Sequence, residues 1–122
     1  MNARDYFERG LLTQDRYGDD DKAIADYTQA ILLDTSFVDA YMSRALAYRS
    51  KKAYELAIAD FSHVIDLKEN NELAYTLRGE AHYHLKQYDL AIADFDHALA
   101  INPHMNDAKK QRALAVQKRG KK

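Results

Sequence analysis

Three stretches of this chain say nearly the same thing: "DKAIADYTQAILLD" from Asp21, "ELAIADFSHVIDL" from Glu55 and "DLAIADFDHALAINP" from Asp89. Aligned on Ala23, Ala57 and Ala91, they recur twice at a spacing of 34 residues. No other feature constrains the fold as tightly. A unit this short cannot bury its own apolar faces, so it must stack on its copies and share a continuous core with them. Within each copy the Ala is followed four residues later by an aromatic (Tyr27, Phe61, Phe95) and three later by a small apolar residue (Ala30, Val64, Ala98). That i, i+4, i+7 spacing is one stripe of an amphipathic helix. Upstream of each stretch lies a second helical pattern, in which Tyr6, Tyr41 and Tyr75 are followed four residues later by Gly10, Ala45 and Gly79. A ring and a small contact point again share a face. The unit is helix, short turn, helix.

The bulk composition agrees with helices joined by short connections. The chain of 122 residues is 47% hydrophobic and 30% charged, with four Gly and a single Pro. So little Gly and Pro argues against an all-β chain with many tight turns. With no Cys, disulfides, thiolate metal sites and a Cys nucleophile are excluded. No apolar run reaches the roughly 20 residues a membrane span needs. The opening "MNARDYFERG" is charged and unlike a signal peptide, so the expected setting is reducing and cytoplasmic. The net charge of −1 is unevenly spread: from Met105 onward the chain carries +6, and the remainder −7. Lys109, Lys110, Arg112, Lys118, Arg119, Lys121 and Lys122 supply the positive end. No aromatic interleaves them to stack on bases, so a solvated terminal helix is preferred to a nucleic-acid contact.

With Tyr75, Gly79, Ala91, Phe95, Ala98 and Pro103 all in place in the third copy, the chain resembles the tetratricopeptide repeat (TPR) family over roughly residues 4 to 116. The resemblance implies an all-α, right-handed α-solenoid forming a single domain over residues 1–122. Its three tandem helix-turn-helix repeats would cover about 4–37, 38–71 and 72–105, with a C-terminal capping helix at about 106–119. Departures from the family pattern are regular. The usual Trp is Tyr in each copy, and the usual Leu before the Gly or Ala is Arg9, Arg44 or Arg78. The first copy carries one extra residue, which the spacing places in the turn "QDRYGDD".

Some residues look chemical. Arg9, Arg44 and Arg78 share one repeat position, and Asp26, Asp60 and Asp94 share another. A site is needed once, whereas a strut is needed in every unit, so structural Arg–Asp pairs are expected. His82 and His84 lie two apart and face different ways, His82 at a core position, and His63 and His97 fall at equivalent surface positions. No metal is expected, because no ligand motif accompanies them. "DRYGDDD" lacks the alternating ligands of a calcium loop, and its Asp residues are read as helix caps. No Gly-rich phosphate loop, GxSxG motif or nucleophile with a base appears, so neither a cofactor nor enzymatic activity is expected.

TPR proteins typically hold a partner segment on the concave side lined by the first helix of each repeat. The resemblance therefore implies a non-catalytic protein–protein interaction module, with Phe7, Leu11, Met42, Leu46, Arg49, Leu73, Leu77, Glu80 and Tyr83 as candidate groove residues. Most are apolar or aromatic. They suit a peptide with apolar anchors, or pack on one another along the groove floor. Co-chaperone members of the family clamp an acidic C-terminus with Lys, Asn and Arg at set groove positions. The matching positions here are Phe7, Leu11, Ser43, Leu73 and Leu77, with no cation among them. The alternative to groove binding is a self-assembling homo-oligomeric scaffold, joined through an uncapped N-terminal end.

Overall fold

The computed structural model describes residues 1–121, so Lys122 of the basic tail lies outside the described residues. Among the described residues seven helices follow one another without a strand: α1 (Ala3–Tyr17), α2 (Asp20–Leu33), α3 (Val38–Ser50), α4 (Tyr54–Leu67), α5 (Glu72–His84), α6 (Tyr88–Ile101) and α7 (Asn106–Arg119). Each helix packs chiefly on its chain neighbours, and α7 also touches α5. The result is an all-α solenoid, the stacking that the 34-residue repeat requires.

The stripes read from the sequence are the core. Tyr27, Phe61 and Phe95, one on each even-numbered helix, are fully buried. They sit beside the small residue of the preceding helix. A methyl group added at Gly10 would come within 2.6 Å of the Tyr27 ring, and one at Gly79 within 2.7 Å of Phe95. Close approach is therefore the reason for glycine at these two helical positions, against a propensity cost of about 1 kcal/mol. The second pair carries Ala45, buried in the same cluster as Phe61.

Helix ends follow from local chemistry. Asn2 caps α1 in a reciprocal box with Asp5, Asp19 accepts from the Lys22 N–H at α2, and Asn71 accepts from the Ala74 N–H at α5. Each fills an otherwise orphaned first-turn donor. Asp20 and Asp21 add negative charge at the positive end of α2. The turns inside the second and third pairs are three residues long, and each places a lysine in the left-handed region: Lys52 (φ 60°) and Lys86 (φ 62°). This lets Ala53 and Gln87 donate back to the Tyr48 and His82 carbonyls at 2.9 Å.

The extra residue of the first pair is accommodated differently from the sequence expectation. Much of "QDRYGDD" is helical: α1 runs for 15 residues, where α3 and α5 have 13. Nothing in Asp15, Arg16 and Tyr17 breaks a helix. The chain turns only at Gly18, the first residue able to adopt φ 59° without strain.

Candidate functional site

The repeated Arg and Asp residues meet as struts. Arg44 donates from Nε and Nη2 to the two carboxylate oxygens of Asp60 at 2.8 and 2.7 Å, and Arg78 does the same to Asp94 at 2.9 and 2.7 Å. Their remaining Nη1 groups reach back one repeat, to Thr28 Oγ1 at 3.1 Å and Ser62 Oγ at 3.0 Å. Each guanidinium thus ties its own helix pair together and joins it to the one before. Hydrogen bonding to the carboxylate raises the pKa of both arginines above the ordinary value, more than partial burial lowers it. The Arg9–Asp26 pair has the same bidentate geometry, but Arg9 is 54% exposed.

The histidines are also engaged. His63 stacks on Tyr41, with ring centroids 4.8 Å apart, His97 on Tyr75 at 5.0 Å, and His84 on Tyr54 at 4.6 Å. His82 Nδ1 lies 2.7 Å from Gln87 Oε1, and its other nitrogen faces Asp94. Among the described residues no group of three His, Cys, Asp or Glu converges as metal ligands would. Among the described residues no helix is long and apolar enough to cross a membrane. Two cations of the basic end are tied to α6, Arg112 to Asp96 at 2.5 Å and Arg119 to Asp89 at 3.2 Å.

The nine candidate groove residues fall into distinct environments. Phe7 and Leu77 are each only 7% exposed. Phe7 packs on Tyr27 and Phe37, and Leu77 joins Ala45, Ala57 and Phe61, so both belong to the core. Met42 and Leu46 are half-buried against that same cluster. Leu11 and Leu73 stand open, at 41% and 49% exposure.

Arg49, Glu80 and Tyr83 gather at the other end, where α5 meets α7. Glu80, Tyr83 and His84 of α5 and Gln111 and Leu114 of α7 line a cavity of about 250 Å³. Gln111 Nε2 donates to Glu80 Oε1 at 2.5 Å. Glu80 Oε2 is buried with no hydrogen-bond partner, and Arg49 Nη2 stands 3.7 Å from it. Tyr83 is wedged edge-on between His84 and Tyr88. Gln111 and Leu114 were missed in the sequence, although the repeat itself carries the signal. Leu114 lies 34 residues after Glu80, which lies 34 after Leu46, so the capping helix continues the row.

Two tetratricopeptide repeat family models match the chain, one over residues 12–72 and the other over 73–105. The chain belongs to the tetratricopeptide repeat family. Solved TPR domains superpose on nearly its whole length. The first TPR of Spaghetti (RPAP3), bound to the HSP90 peptide SRMEEVD, matches with a TM-score of 0.90 and 25% identity over 98% of this chain and 94% of that one. The Arabidopsis OM64 TPR domain matches at 0.85 with 29% identity, covering 94% of both chains. The second TPR domain of human RPAP3, in complex with the HSP70 peptide SGPTIEEVD, matches at 0.86 with 27% identity over 93% of this chain and 94% of that one. No curated protein matches the chain in sequence.

Proposed function

We propose that this TPR domain is a non-catalytic interaction module that holds a segment of a partner protein in the groove lined by α1, α3 and α5. The observation that carries this reading is the pair of open leucines, Leu11 on α1 and Leu73 on α5, together with the half-buried Met42 and Leu46 on α3. Leucines such as Leu32 and Leu90 are as open on the second helices, so it is the common placement of Leu11, Met42, Leu46 and Leu73 on the first helix of each pair, rather than exposure alone, that supports the reading. The similar TPR domains bound to HSP90 and HSP70 peptides support a peptide segment as the ligand. The ligand here differs in chemistry: where clamp members carry cations, this chain has the open Leu11 and Leu73, the hydroxyl of Ser43, and Phe7 and Leu77, which are taken up by the core.

The test is selection of short peptides from a displayed random library on the purified protein. The selected peptides are then re-measured on a Leu11→Glu/Leu73→Glu variant. Both side chains are open enough for the variant to keep its melting temperature. Loss of binding with an unchanged melt supports groove binding through apolar anchors. Equal binding by wild type and variant moves the contact elsewhere and overturns the reading.

A further inference from the structure

We infer that the α5–α7 end of this groove selects a basic side chain, Lys or Arg, in the bound segment. The inference rests on the peptide-binding reading above and specifies the ligand chemistry at one end of that site.

The repeat register makes Glu80 conspicuous. The residues following Gly10, Ala45, Gly79 and Ala113 are Leu11, Leu46, Glu80 and Leu114, one acid in a row of leucines. Glu80 is not a strut of the repeating kind, since the ladder is built by other positions in every unit. One of its oxygens takes the Gln111 amide, and the other is buried without a donor. Arg49 Nη2, at 3.7 Å, forms an ion pair with it but stands too far for a hydrogen bond. It is also half exposed, free to swing away when something better placed arrives.

A carboxylate accepts and never donates, so the missing partner is a donor, and a cationic one gains most. The cavity beside Glu80 is about 250 Å³, which is the scale of one long side chain rather than a cofactor. Its walls suit the two ends of such a side chain. Leu114 offers apolar surface to a methylene stem, and the Tyr83 and His84 rings lie where a guanidinium or ammonium can pass to the carboxylate. An acidic side chain would meet the like charge of Glu80, and an apolar one would leave Oε2 as it is now. The segment up to His104, with a formal charge of −7, favours approach of a basic segment.

Four pools of short, end-blocked peptides test this. Each has one fixed central residue, Arg, Lys, norleucine or Glu, and degenerate positions around it. Retention is measured on wild type, Glu80→Gln and Arg49→Met. Wild type should retain the Arg and Lys pools about tenfold above the norleucine pool. Glu80→Gln should abolish that advantage and leave norleucine retention unchanged. Arg49→Met removes the competing cation from an exposed position and should strengthen retention of the basic pools. Equal retention of basic and norleucine pools by wild type overturns the inference. So does preference for the Glu pool, a basic preference that survives Glu80→Gln, or weaker retention of the basic pools by Arg49→Met. Failure to retain any pool would overturn the peptide-binding reading itself, and this one with it.

Discussion

Arg44 grips Asp60 with two parallel hydrogen bonds, at 2.8 and 2.7 Å, in a setting where the arginine side chain is 17% and the aspartate 3% exposed. The third arm, to Thr28, makes this one residue the hinge pin of three helices, α2, α3 and α4. The energetic meaning of such a pair is asymmetric. Replacing both members by hydrocarbon can cost little, but removing one strands the other charge away from water.

Asp60→Asn should therefore destabilise the protein by about 3 kcal/mol or more. That corresponds to a fall in melting temperature of roughly 10 °C for a chain of this size. Asp26→Asn should cost clearly less than Asp60→Asn, because half-exposed Arg9 recovers its hydration when released. Thermal melts of the two variants beside wild type check both size and order. A melt of Asp60→Asn that coincides with wild type would remove the ladder from the list of what holds the solenoid together.

The two left-handed lysines predict a gain. A side chain in this region costs roughly 1–2 kcal/mol, and glycine avoids that cost while losing about 0.4–1 kcal/mol through the greater freedom of the unfolded chain. Lys52→Gly and Lys86→Gly should each stabilise by about 0.5–1 kcal/mol, read as a higher urea midpoint with unchanged slope. Gly18, in the left-handed region at the end of α1, is the internal reference. Gly18→Ala should move the midpoint the other way.

Much of this was legible because a repeat states each structural rule three times. The helix pairs, the buried Tyr27, Phe61 and Phe95, and the pairing of Arg44 with Asp60 all follow from residues that recur in register. The reach of Arg44 and Arg78 to Thr28 and Ser62 obeys the same 34-residue offset and was equally available. What occurs once was not readable. Helical periodicity assigns a face but not a depth, so Phe7 and Leu77 looked like groove wall although neighbouring helices close over them. His63 and His97 looked like bare surface because their stacking partners, Tyr41 and Tyr75, belong to another helix. The Arg49–Glu80–Gln111 set joins α3, α5 and α7, and no local pattern connects residues that far apart.

Tyr27 makes stability fall at alkaline pH. Its ring is fully buried, and its hydroxyl donates to Gln14 Oε1 at 2.5 Å. Burial, with Asp20 and Asp26 nearby, pushes its pKa from 10.0 up to about 12. The folded state then keeps a proton that the unfolded chain gives up near pH 10. The resulting stabilisation is fully present below that pH and is lost as pH rises from 10 toward 12. Phe61 and Phe95 fill the equivalent positions, so Tyr27→Phe should fold, though with Gln14 deprived of its donor. Urea midpoints at about pH 9 and about pH 11 should drop more steeply for wild type than for Tyr27→Phe. Parallel drops would show that the buried phenol is not the group responsible.

The SRMEEVD peptide carried by the similar Spaghetti domain should not bind this chain. Its terminal carboxylate and acidic side chains must exchange water for donors of comparable strength, and charged donors serve best. Here Leu11 and Leu73 present hydrocarbon and Ser43 one hydroxyl, Phe7 and Leu77 are closed into the core, and Glu80 adds a like charge to the same face of α5 as Leu73. Fluorescence anisotropy of the labelled peptide should stay flat even at low ionic strength, where any attraction between opposite charges is least screened. Saturable, salt-sensitive binding would mean that Arg4 or Arg49 reaches the carboxylates after all. If binding is lost in Arg49→Met, Arg49 is the ligand's partner rather than Glu80's, and the basic selectivity inferred for that end of the groove falls with it.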